Sequence, residues 1–199
     1  MIVSQLDKLE FDEEVWNMDY KLLNNAKAIG EAFVARFVMT WEEFQVEQKD
    51  FIAEMEKKNH LVDFTFYEQS LFWDRMPRNF PCVSMAEALK FLRKHRGPVF
   101  FMGEKGEDGS WRGKRVVDFI AEADAHALAE KIEQEWYDSY RLAMQNMYDP
   151  DAILPDDLYV FDASMEWCVV FTHETTDWES ELDDPMKAAE SRVCIICTT

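Results

Sequence analysis

The sequence predicts an α+β domain in which a mainly antiparallel sheet, two hairpins plus a C-terminal strand, is covered by two long helices and a short one. Three observations carry that prediction. Apolar residues recur at helical spacing over 26–58 and 124–147, two pairs of β-rich runs lie at hairpin distance, and no repeat or linker divides the 199 residues. A chain of this length normally forms one domain, so 1–199 reads as a single unit. Its helical part extends to about 80 and its sheet-containing part runs from about 84 to 199.

The first long helix is expected from Glu31 to Lys58. Ala26 to Lys58 contain no proline, and Phe37, Phe44 and Phe51 recur every seven residues beside Ile29, Phe33, Trp41 and Met55. Such a helix would run about 42 Å, long enough to project and pair with a second copy, so a structural homodimer through 31–58 is one expectation. Leu61 to Trp73 is aromatic-rich without a clean period, and Pro77 and Pro81 end it.

Ser84-Met-Ala-Glu87 fits a capping box and opens a short helix to about His95, which Gly97 and Pro98 stop. Pro98 to Met102 reads as a buried strand, Gly103 to Gly113 as a polar turn, and Arg115 to Ala121 as the antiparallel mate. Asp124 then caps the second long helix, whose Leu128, Ile132, Trp136, Tyr140 and Met144 form one stripe to about Met147. Leu158 to Asp162 and Trp167 to His173 flank the short loop 163–165 as a second hairpin. After an acidic loop, Asp177 to Pro185, Arg192 to Thr198 closes the sheet as an apolar strand expected in its interior.

Composition narrows the function classes. Forty acidic side chains oppose 21 basic ones, for a net charge of −19, while 48% apolar and 14% aromatic residues supply a core that a disordered chain lacks. Residues 149–199 hold thirteen acidic side chains against two basic ones. That field repels nucleic acid and anionic lipid and draws a basic protein partner inward. No apolar run approaches the ~20 residues a membrane span needs, and MIVSQLDKLEFDEEV has no basic segment followed by an apolar one. The expectation is a cytoplasmic protein, with its four cysteines as free thiols.

Of the motif-like groups, Cys194-Ile-Ile-Cys197 invites a redox or zinc reading. On a strand, however, side chains three apart point to opposite faces. Cys168 and His173, the nearest further ligands, fall on opposite faces of an unbulged strand as well, so no metal and no cofactor is expected. His173-Glu174 begins like a zincin signature but lacks the second histidine and the helix. The pair still stands at a strand end beside acidic residues, where an acid/base group belongs, so a metal-dependent hydrolase-like enzyme centred on His173 and Glu174 is an alternative expectation. Gly103-Glu-Lys-Gly-Glu-Asp-Gly lacks the phosphate-cradling pattern and reads as an exposed hairpin tip.

The tail Asp157-Leu-Tyr-Val-Phe-Asp162 with Glu166-Trp-Cys-Val-Val-Phe-Thr-His-Glu174 resembles the terminal hairpin of small acidic intracellular bacterial proteins of uncharacterised families, some of them immunity-protein-like. The resemblance spans about 18 residues and implies a toxin-neutralising mode of action. With the charge distribution, it leads to a non-enzymatic protein-binding domain, an immunity-type inhibitor that presents an acidic surface to a basic partner. Trp178 is the expected aromatic anchor, and Glu179, Glu181, Asp183 and Asp184 are the steering charges.

Overall fold

The computed structural model describes residues 20–77, 80–106, 115–143, 154–155, 157–175 and 192–198. Within them lies one seven-stranded antiparallel sheet: β1 (Tyr20–Leu22), β2 (Cys82–Val83), β3 (Pro98–Gly106), β4 (Arg115–Asp124), β5 (Leu158–Phe161), β6 (Trp167–Thr175) and β7 (Arg192–Thr198), in the spatial order β1-β4-β3-β5-β6-β7-β2. The α+β prediction is met. Both hairpins form, β3 with β4 and β5 with β6, and β7 is interior, paired with β6 on one side and β2 on the other. The two edges are the short strands β1 and β2, which pair with Ala121–Ala123 of β4 and with Cys194 and Ile195 of β7. Neither was anticipated, since two or three residues carry no readable alternation.

The helices are α1 (Ala26–Phe37), α2 (Trp41–Glu47), α3 (Lys49–Lys57), α4 (Phe64–Gln69), α5 (Met85–Leu92) and α6 (Ala125–Ala143). They cover both faces of the sheet. On one, α5 and α6 bury Leu89, Leu92, Leu128 and Ile132 against Val99, Phe101, Leu158, Val160, Val169 and Phe171. On the other, Phe33 and Phe37 of α1, with Phe72 and Met76, pack on Met102, Ile120, Tyr159, Phe161, Val170 and Ile195. A sheet covered twice has no polar face, which is why all four residues of β5 are buried and its sequence does not alternate.

The long helix predicted over Glu31–Lys58 does not exist as one element. Chain direction changes at Val38, whose backbone is extended, and Thr40 restarts the helix with a capping box: Glu43 N–H donates to Thr40 Oγ1, and Thr40 N–H donates to the Glu43 carboxylate. A second break falls at Gln48. Phe37 therefore enters the sheet core, whereas Phe44 enters a separate cluster with Met39, Val62, Trp41, Phe51 and Tyr67. The heptad stripe is consumed inside its own chain, and the dimer seam expected along 31–58 has no continuous helix to carry it.

Elsewhere the expected signals hold. Ser84 and Glu87 form their capping box, although α5 stops at Leu92 rather than His95. Gly97 adopts φ +109°, a backbone that side-chain-bearing residues rarely take, and so turns the chain into β3. Asp124 Oδ1 accepts the amides of His126 and Ala127 at the head of α6. The irregular aromatic stretch contains α4, capped by Asp63 through the amides of Thr65 and Phe66.

Candidate functional site

The segment Leu71–Met76 crosses the α1 face of the sheet and contains a single 3-10 turn, Trp73–Arg75. In that geometry residues three apart lie one above the other, so Phe72 and Arg75 share one side of the turn. Trp73 and Asp74 face the other. Two neighbouring sites result.

The first surrounds His173. Its Nδ1 lies 3.0 Å from both oxygens of Asp157, its backbone N–H donates to Asp157 Oδ1, and its Nε2 is 3.4 Å from Glu174 Oε1. Trp73 donates its indole N–H to the same Asp157 oxygen and meets the imidazole edge-on at 5.9 Å. Asp74 accepts Leu71 N–H nearby. Burial raises the pKa of Asp74, and the charges of Asp157 and Glu174 add to the rise, while the Leu71 bond and the His173 ring oppose it.

The sequence-based parity of β6 holds through Phe171: Trp167, Val169 and Phe171 face α5 and α6, and Cys168 and Val170 face α1. It fails for His173. The β6–β7 register shifts between Phe171 and Thr175, and His173 meets Trp73 on the α1 side instead of following Phe171. The predicted pair His173 and Glu174 is thus brought together with Asp157, Asp74 and Trp73. Trp178, Glu179, Glu181, Asp183 and Asp184 lie outside the described residues.

The cysteines behave as strand parity requires: Cys194 is buried on the α5/α6 face, and Cys197 on the α1 face opposite Cys168. Burial pushes the Cys194 and Cys197 thiols up to about 12 and holds Cys168 well above the usual thiol range. Among the described residues no group of three or more His, Cys, Asp or Glu side chains is placed to hold a metal ion. None of the described helices is long and apolar enough to cross a membrane.

The second site is a groove of about 750 Å³ between α1 and α4, lined by Gly30, Val34 and Ala35 of α1, Phe64, Tyr67 and Glu68 of α4, Phe72, Arg75 and Val117 of β4, with Lys27 and Glu31 at its rim. Sequence reasoning missed it. Gly30 makes the close approach of helix and sheet, since a Cβ there would sit 2.5 Å from Val117 Cγ2. Arg75 is 7% exposed, with its guanidinium over the Tyr67 ring at 4.6 Å and the Phe72 ring at 5.4 Å. Its Nε donates to Leu71 O over a long 3.5 Å. Neither Nη atom has a hydrogen-bond acceptor, and no carboxylate pairs with Arg75, among the described residues. Phe64, 51% exposed, flanks the mouth. Only an arginine in an aromatic-rich stretch hinted at this, and the lining runs from Lys27 to Val117 in sequence.

No family model, no curated protein and no solved structure matches the chain.

Proposed function

We propose that the chain is a non-enzymatic binding domain whose ligand seats in the α1–α4 groove. One observation carries the reading: a largely apolar hollow of small-molecule size, about 750 Å³, holds a buried cation whose Nη atoms have no acceptor among the described residues. The His173 cluster supports it from the other side. Both ring nitrogens there face carboxylates and the ring rests on Trp73, so the cluster ties Leu71–Met76 to β5 and β6 and steadies the groove wall. That role accounts for His173 and Glu174 without chemistry.

The neutral fluorophore N-phenyl-1-naphthylamine tests the reading, because its emission rises in an apolar site. Saturable, one-to-one binding is expected, and Ala35→Trp, which places an indole at an exposed position of the groove lining, should abolish it without lowering Tm. Binding that ignores Ala35→Trp, or that never saturates, rejects the groove.

A second reading rests on charge. The thirteen acidic side chains of 149–199 against two basic ones favour a basic protein docking through Trp178, Glu179, Glu181, Asp183 and Asp184, as an immunity-type inhibitor would. Neutralising the four acids should slow association with such a partner and flatten its salt dependence. An unchanged association rate rejects this docking face.

A further inference from the structure

We propose that the α1–α4 groove takes an amphiphilic monocarboxylate, with its carboxylate on the Arg75 guanidinium and its apolar body along Val34, Phe64, Tyr67 and Phe72. The inference rests on the groove being the binding site and adds the chemical class of the ligand.

A buried cation is costly unless its charge and donors are met. At Arg75 the protein supplies two aromatic faces and one long bond from Nε to Leu71 O, and the Nη atoms are left to the solvent of the groove. Both Nη groups have no acceptor among the described residues, although the side chain is more than nine-tenths buried. A guanidinium offers paired N–H donors in the geometry of a carboxylate, and such a pair strengthens as water is excluded.

The rest of the lining sets the remainder of the ligand. Val34, Phe64, Tyr67, Phe72 and Val117 form its walls, and the volume suits a chain or ring system rather than a folded partner. Glu68 lines the same groove, and Glu31, 3.9 Å from Lys27, stands at the rim. Neither pairs with Arg75. Among the described residues Arg75 is the one guanidinium in the lining, and it matches a single carboxylate.

The test is displacement of N-phenyl-1-naphthylamine by decanoate, decan-1-ol and decyltrimethylammonium, each below its micellar concentration, from the wild-type chain and from Arg75→Met. Methionine keeps apolar contact with Tyr67 and Phe72 but removes the charge. Decanoate should compete about tenfold or more better than the alcohol, the equivalent of one charge-assisted hydrogen bond, and the cation no better than the alcohol. In Arg75→Met the acid and the alcohol should become equivalent. Equal competition by acid and alcohol in the wild type, or a preference for acid that survives Arg75→Met, overturns the inference and leaves the groove standing as a neutral site. Fluorophore binding indifferent to Ala35→Trp removes the groove itself. Should Arg75→Met not fold, the acid, alcohol and ammonium series on the wild type decides alone.

Discussion

The Tyr159 hydroxyl donates to Glu104 Oε1 at 2.6 Å from a side chain with no exposed surface, and the same oxygen of Glu104 accepts Phe72 N–H at 2.7 Å. Tyr159 also accepts Trp73 N–H. The central strands β3 and β5 therefore hold the Leu71–Met76 segment by its backbone, and with it the groove wall. Burial, followed by the Glu104 charge, raises the tyrosine pKa well above its ordinary value. Tyr159→Phe leaves Trp73 N–H without its acceptor and should cost about 1–3 kcal/mol, read by chemical denaturation. Weaker fluorophore binding should accompany it, since the wall loses its anchor.

Gly30 should tolerate no side chain. An alanine there meets Val117 Cγ2 at 2.5 Å, so either the valine side chain turns away or α1 lifts from β4, although alanine is the better helix former. Overpacking of this kind costs about 1–3 kcal/mol. Gly30→Ala should lower the denaturation midpoint, and Val117→Ala placed beside it should recover part of the loss. A stabilised Gly30→Ala would show that helix propensity outweighs the close approach.

Asp74 and Asp162 should respond to pH with opposite signs. The Asp74 pKa is raised in the folded state, so folding binds more protons between the ordinary aspartate value of about 4 and that raised value. Its ionisation costs stability as pH rises through this window. Asp74→Asn, whose amide oxygen still accepts Leu71 N–H, should be at least as stable as wild type at neutral pH and lose that advantage below about pH 4. At Asp162 burial pushes the pKa up, but bonds from the Ser164 hydroxyl, the Trp167 indole and Ser164 N–H outweigh it and the net shift is downward. That stability is present above about pH 4 and is lost as pH falls through the depressed value. Asp162→Asn should flatten this acid limb, which a difference titration of unfolding free energy against pH reads directly.

Thiol chemistry should separate Cys82 from the rest. Cys82 is exposed on the edge strand, whereas Cys168, Cys194 and Cys197 are buried with raised pKa values. An alkylating reagent at pH 8 should modify one thiol in the native protein and four in denaturant. Rapid native labelling at Cys194 or Cys197 would contradict the packing described for β7.

What the sequence disclosed was local. Ser84 with Glu87, Asp124 ahead of α6, Gly97 before β3, and the alternation that sends Cys194 and Cys197 to opposite faces are each written within a few residues. Thr40-Trp-Glu-Glu43 is an equally local signal, but the seven-residue spacing of Phe37, Phe44 and Phe51 masked it, because apolar spacing alone does not show that Phe37 is buried in the sheet core and Phe44 in a separate cluster. The face of His173 depends on a register shift that no single strand encodes. The groove is less legible still: Gly30, Tyr67, Arg75 and Val117 come to line one hollow only once α1 is packed on β4 and α4 stands across from it.

The turn Trp73–Arg75 contributes a residue to each of the two sites. Its three residues put Arg75 in the groove and, two positions away, the indole that is bonded to Asp157 and meets the His173 imidazole edge-on. Light emitted by Trp73 should therefore change colour or intensity when a guest arrives beside Arg75, giving the molecule an intrinsic gauge of its own occupancy.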